Sequence, residues 1–202
     1  MDKKNIPIIT INREYGAGGR SLADVLSERL QIPYYDQDFV TKTVEESGFD
    51  KEDVEREDEE MSRSSQILDS FLGGIVSYSS SHDKIFEAEK KVVLQLAENP
   101  CIMVGRCANS ILKEAGIDVF SIYLHSPVEN RIARVEELKE NGDIKADKFV
   151  ETRDEQRRTF YKQYAGSDIF DATNYNICFD TGRISISRCA DIVIGLLQDL
   201  GD

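Results

Sequence analysis

The residues best suited to chemistry lie early in the chain, in the run Arg13-Glu14-Tyr15-Gly16-Ala17-Gly18-Gly19-Arg20-Ser21. The run follows an apolar stretch that reads as a strand and opens a stretch that reads as a helix. A glycine-rich turn at such a junction lets backbone N–H groups converge on an anion, and the helix start adds a favourable dipole. The chemistry to expect is phosphate binding. In the standard phosphate loop, G-x-x-x-x-G-K-[ST], the lysine reaches the outer phosphates and the hydroxyl binds magnesium. Placing Gly19-Arg20-Ser21 on G-K-[ST] puts Arg20 where the lysine belongs and Glu14 where the first glycine belongs. Arginine keeps the charge but is a planar fork rather than a compact ammonium. The alternative is a tight glycine turn without a ligand. Three glycines in four residues, followed by Arg-Ser at a helix start, are hard to require for structure alone.

The elements that must position this loop alternate along the chain. Strands are expected at 6–11, 32–35, 101–104, 119–124 and 175–179. Helices are expected at 21–30, where Leu22, Leu26 and Leu30 share a stripe, and at 38–47, 66–77, 84–98, 146–164 and 185–200. Ser126-Pro127-Val128-Glu129 reads as a capping box opening a further helix to about 140. Five short apolar strands separated by helices predict a parallel sheet covered on both faces. The region from about 38 to 98 holds helices and no strand, and is read as a helical insertion beside the sheet.

The 202 residues fit one domain, 1–202. No apolar run approaches the ~18 residues of a membrane span, and the N-terminus has no signal-peptide pattern. Lys and Arg number 25 against 38 Asp and Glu, a net charge of -13, which argues against nucleic acid or an anionic membrane as partner. Residues 45–60 carry ten acids against Lys51 and Arg56, the pattern of a solvated helix face or a connection. Cys101, Cys107, Cys178 and Cys189 form no C-x-x-C pair and read as reduced residues of a cytoplasmic protein. His82 and His125 have no metal-ligand spacing near them.

The segments ITINREYGAGGRSLADVL, LQIPYYDQDFV, CIMVGRCAN and NYNICFDTG, with an arginine-rich stretch between the last two, resemble the cytidylate kinase-like family of P-loop proteins. The resemblance runs from about residue 7 to 197 and is weakest from 43 to 90. It implies a P-loop NTPase fold with an acceptor-side helical insertion (38–98) and an Arg-rich lid (131–165). It also implies ATP as co-substrate, Mg2+, and small nucleotides as partners, with no nucleic acid or membrane and the oligomeric state left open. On that resemblance Arg13, Gly16, Ala17, Gly18, Gly19, Arg20 and Ser21 hold the donor phosphates. Ser21 and Asp36 lie at the metal, and Arg20, Arg131, Arg134 and Arg153 neutralise the transferring group. Asp36, Lys42, Arg106, Asp154 and Arg157 lie at the acceptor. The family's Ser-Gly after the strand-two Asp is Gln37-Asp38 here, its following Arg is Lys42, and the Asp of its Gly-Arg-Asp is Cys107. Glu14 would repel phosphate unless Arg13 or Arg20 pairs with it. Asp36 has a second reading as a helix N-cap. Arg106 has one as a surface ion pair at a strand end, and Asp154/Arg157 one as a helix-surface pair. Asp180-Thr181-Gly182 is either the loop beside the donor adenine or an ordinary turn.

The implied reaction is phosphoryl transfer from ATP to a pyrimidine monophosphate, CMP or dCMP. Its loose transition state needs positioning and charge neutralisation, and a largely dianionic acceptor phosphate needs no general base. Two other readings stay open. One is a P-loop kinase for a different small acceptor, because the departures cluster on the acceptor side. The other is a nucleotide-binding module without turnover, because Arg20 stands for the lysine.

Overall fold

The computed structural model describes residues 6–36, 39 and 81–199. Its centre is strand β1, Ile8–Arg13, buried from Ile8 to Asn12. A strand apolar on both faces must be covered on both. Ile9 and Ile11 point into one core cluster and Ile8 into the other, as the period of two requires. Around β1 lie β2 (Tyr34–Tyr35), β3 (Ile102–Val104), β4 (Val119–His125) and β5 (Ile177–Asp180), in the order β2-β3-β1-β4-β5. Every pairing is parallel.

Helices α1 (Gly19–Leu30) and α6 (Ile186–Asp199) cover one face, through Leu22, Leu26, Cys189, Val193 and Leu197. Helices α2 (Ser81–Leu96), α3 (Ala108–Glu114) and α5 (Ala146–Ala165) cover the other, through Phe86, Val93, Ile111, Leu112 and Tyr161. Helix α4 (Val128–Leu138) packs on α5 through Val135, Phe149 and Val150, a small cluster of its own that also takes Tyr15. The expected five-stranded parallel sheet flanked by helices is the fold. Because β1 sits between β3 and β4, the chain leaves its C-terminal end toward a switch point, where ligands bind in such sheets.

The structure differs from the sequence expectations at the bounds of β1, at a helix before β4 and at the capping box, and some expectations lie beyond what it describes. Strand β1 runs two residues later than expected, because it pairs with β4 as far as Arg13↔Leu124. Helix α3 was not expected. It is only seven residues long and starts after Cys107, which has a left-handed backbone and makes no side-chain cap bond. The capping box is not formed: Pro127 is the N-cap of α4 and makes no side-chain bond. The Ser126 N–H, which a capping box would direct to Glu129, instead donates to Glu14 Oε2 at 3.0 Å. Finally, the helices expected at 38–47 and 66–77, the acidic 45–60 run and Lys42 lie outside the described residues.

Candidate phosphate-binding site

A cleft of about 440 Å3 opens at the C-terminal ends of β1 and β3. One wall is the glycine-rich turn. Gly16 and Gly18 have φ of +78° and +91°, conformations that side chains resist. A Cβ at Gly16 would lie 2.7 Å from the Arg131 carbonyl oxygen, so the loop must be glycine there to let α4 approach. Gly18 is the N-cap of α1, and no side chain caps the helix. Gly18, Gly19, Arg20 and Ser21 line the cleft, so the uncapped positive end of α1 faces it. Ala17 is buried behind them.

Six arginines line the cleft: Arg13, Arg20, Arg106, Arg134, Arg153 and Arg157. Arg13 is deeply desolvated. Burial, then the neighbouring guanidinium of Arg157, holds its pKa well below the ordinary arginine value. Burial likewise lowers Arg157 to about 10. The Arg157 guanidinium lies 4.6 Å over the Tyr15 ring, and its Nη1 reaches the Arg13 carbonyl at 3.5 Å. Among the described residues no carboxylate stands at ion-pairing distance from Arg13 or Arg157. Asp36 and Asp154 act on Arg13 and Arg157 only from beyond contact, and two adjacent desolvated cations held so cost free energy that a bound anion would relieve.

The other arginines are held differently. Arg20 Nε lies 2.8 Å from Asp36 Oδ2, with its side chain 51% exposed. Arg134 reaches from α4 to donate to Ser21 Oγ at 2.7 Å. Arg153 bonds Gln156 at 3.3 Å and covers the Phe149 ring. Arg106 Nε lies 3.3 Å from Glu89 Oε1 with both side chains buried, and its guanidinium sits 5.2 Å over the Phe160 ring. The strand-end ion pair envisaged for Arg106 is thus real but interior. Gly105, Arg106 and Cys107 all have positive φ, from +53° to +87°. For the last two residues this is strain of the kind that gathers at sites.

Three of the sequence-predicted residues turn away from the cleft. Arg131 is only 7% exposed. Its Nε donates to the Ser126 carbonyl at 3.0 Å and lies 3.3 Å from Glu14, while Nη1 bonds Asp154 and the Tyr15 carbonyl. Arg131, expected at the transferring group, is here bonded at both Nε and Nη1 around the loop. Asp154, expected at the acceptor, is bonded with it, and its second oxygen accepts the Tyr15 N–H at 2.6 Å. Neither is a surface pair. Glu14 is neutralised by Arg131, not by Arg13 or Arg20. Asp36 accepts the Phe39 N–H at 3.2 Å, the N-cap reading, and holds Arg20. Thr181 Oγ1 donates at 2.9 Å to the carbonyl of Ala17, so its loop braces the back of the glycine turn.

Sequence reasoning missed several wall residues: Tyr15, Glu140, Gln156, Phe160, Tyr161 and Ile169. Phe160 and Tyr161 stand three and four residues after Arg157 on α5, and that spacing was the available signal. Glu89 was visible as an acid on the Ile85, Phe86, Val92, Val93 stripe of α2. Beneath the cleft Asn12 donates to Asn109 at 3.0 Å, and Asn109 to Tyr161 at 2.8 Å. That chain ties β1, α3 and α5 together.

For magnesium the donor set is small. One hydroxyl at a helix start, with phosphate oxygens and water, is a ligand set this ion accepts. Ser21 offers such a hydroxyl, although its oxygen accepts from Arg134 in this structure, and each Asp36 oxygen also has a partner, Phe39 N–H or Arg20. Among the described residues no group of three His, Cys, Asp or Glu could hold a metal ion, and no helix is long and apolar enough to cross a membrane.

Comparison with known proteins gives three findings. A family model described as the cytidylate kinase-like family matches residues 8–183. The chain is 22% identical over 197 residues to a cytidylate kinase of Methanocaldococcus jannaschii, covering 96% of this chain and 98% of that one. Among solved structures, an uncharacterized protein from Eubacterium ventriosum shares the fold with a TM-score of 0.71 at 20% identity, covering 95% of this chain and 98% of that one. A shikimate kinase from Acinetobacter baumannii does so at 0.53 and 13%, covering 98% and 96%.

Proposed function

The chain belongs to the cytidylate kinase-like family, and from that premise we propose that it is an ATP-dependent nucleoside monophosphate kinase acting on CMP or dCMP. The observation that carries the proposal is the cleft itself. An acidic protein of net charge -13 gathers six arginines around an uncapped helix start and, among the described residues, leaves two of them, Arg13 and Arg157, with no carboxylate at ion-pairing distance. Such a site is built for more than one phosphate.

In the proposed reaction an acceptor phosphate oxygen attacks the terminal phosphorus of ATP. A new P–O bond forms, the bond to ADP breaks, and ADP leaves with the electron pair. The dianionic acceptor needs no base. The glycine turn and the start of α1 hold the donor phosphates, and Ser21 offers its hydroxyl to Mg2+. That ion, when bound, neutralises charge on the donor phosphates. Arg134 and Arg153 approach from α4 and α5 over the transferring group. Arg106, Arg157 and Lys42 serve the acceptor. The proposal includes one domain over 1–202, with an acceptor-side insertion (38–98) and a lid (131–165), working in the cytoplasm on small nucleotides.

A second reading, a kinase for another small acceptor, is favoured by Cys107. It lines the cleft where the family has an aspartate, and its thiol is buried. The test is ADP formation from Mg-ATP with CMP, dCMP, UMP, AMP, GMP, shikimate or no acceptor. Preference for CMP or dCMP is the expected result. Turnover with shikimate alone would establish the second reading. Binding of ATP without turnover would point to a non-catalytic nucleotide-binding module.

A further inference from the structure

Counted from the start of helix α1 rather than from Ser21, the standard phosphate-loop motif is departed from at two positions that meet in space. Helix α1 begins at Gly19, with Gly18 as its N-cap. Counting G-x-x-x-x-G-K-[ST] from that landmark makes Gly18 the second glycine of the motif, puts Gly19 at the lysine, Arg13 at the first glycine and Arg20 at the Ser/Thr position, so that the loop hydroxyl, Ser21, comes one residue later. One position has lost a cation and the other has gained one. The Arg13 side chain lies over Gly19: a Cβ there would be 3.0 Å from Arg13 Cγ and Cδ and 3.3 Å from Nε. The guanidinium continues to Gly105, where a Cβ would collide with Nη1. We infer that Arg13, the last residue of β1, replaces the loop lysine and touches the outer phosphates of the donor, while Arg20 is a peripheral residue held on Asp36. The inference rests on the kinase reading above and names the cation that the reading requires.

Three further observations support it. Arg13 lines the cleft and, among the described residues, has no carboxylate at ion-pairing distance. Both glycines it passes leave it space: Gly105 also has a φ of +87°, which favours glycine, and a methyl group at Gly19 would press on the Arg13 side chain at 3.0 Å. Arg20, by contrast, is half exposed and paired with Asp36 at 2.8 Å. Delivered from a strand rather than from the helix, a planar fork can bridge two phosphate oxygens where a lysine would meet them as a point charge.

The test uses the full chain as wild type, R13Q, R20Q, R13G and R13G/G19K. Binding of MgATP and of tripolyphosphate is measured by calorimetry, with ADP formation and melting temperature with and without ATP. R13Q should weaken both ligands at least tenfold and lower kcat about 10²–10³-fold, the usual loss for one preorganised charge. The R20Q loss should be at least tenfold smaller. R13G/G19K should recover tenfold or more over R13G, because the cation returns to the motif's usual position. Folding is controlled by the melting temperature without ligand. It should not fall in R13Q, which removes a charge from beside Arg157. An R20Q loss equal to that of R13Q, or no gain from G19K in a folded R13G background, would overturn the assignment. If the wild type binds MgATP but makes no ADP with any acceptor, the kinase reading fails while an R13Q binding loss still supports Arg13. If it binds neither MgATP nor tripolyphosphate, both fall.

Discussion

Single residues in this molecule are constrained mainly by what passes close to them. Gly105 is the clearest case. Its φ of +87° and the Arg13 guanidinium beside it both exclude a side chain. Gly105→Ala should lower stability by about 1–3 kcal/mol, the usual cost of such a strained position, and weaken ATP binding by displacing Arg13. A denaturation curve and a calorimetric titration check the two effects separately. The cysteines give a second residue-scale expectation. Burial raises the Cys101 thiol to about 12 and raises Cys107, Cys178 and Cys189 as well, but Cys178 is the one exposed residue of the four and so the one a reagent can reach. Thiolate is the reactive form. A disulfide reagent at pH 8 should therefore find one fast thiol in the native protein and four after unfolding, with Cys178→Ser removing the fast one.

Among the elements, the decisive link joins the glycine turn to the α4–α5 pair. Glu14, Tyr15, Arg131 and Asp154 form one hydrogen-bonded group across three segments. Removing one partner of a buried pair leaves the other uncompensated. Asp154→Asn and Glu14→Gln should each cost about 2–4 kcal/mol, measured by urea unfolding. Their double mutant should lose less than the sum, since both act through Arg131. The sheet, the glycine turn and the amphipathic helices were legible in the sequence because each has a period or a punctuation that local physics dictates. The partners of the arginines were not. Nothing in the spacing of Arg131 tells that its guanidinium folds back onto Glu14, or that Asp154, next to a cleft-lining arginine, faces the loop. Those choices depend on α4 approaching Gly16 across more than a hundred residues of chain. Helix α3 was missed for a similar reason: it begins from a strained Cys107 that offers no capping side chain.

Over the whole molecule, charge is divided between a cationic cleft and an acidic remainder. A nucleotide polyanion approaching from a distance meets the net charge of -13, and only within a few ångströms does it meet the arginines. Raising ionic strength from about 0.01 M to about 0.15 M shortens the Debye length from about 30 Å to about 8 Å. ATP association should therefore speed up with salt while dissociation also speeds up, and stopped-flow rates at the two salt concentrations check both. The passage of Arg13 between Gly19 and Gly105 has a consequence for how such a site can change. A side chain at 19 or 105 and an arginine at 13 compete for the same space, although β1, α1 and the end of β3 supply them from distant parts of the chain. The order of substitution then matters. A lysine arriving at 19 while Arg13 is present must push its side chain aside. With Arg13 shortened first that contact is gone, so exchange between the two loop designs runs most easily through the shortened form.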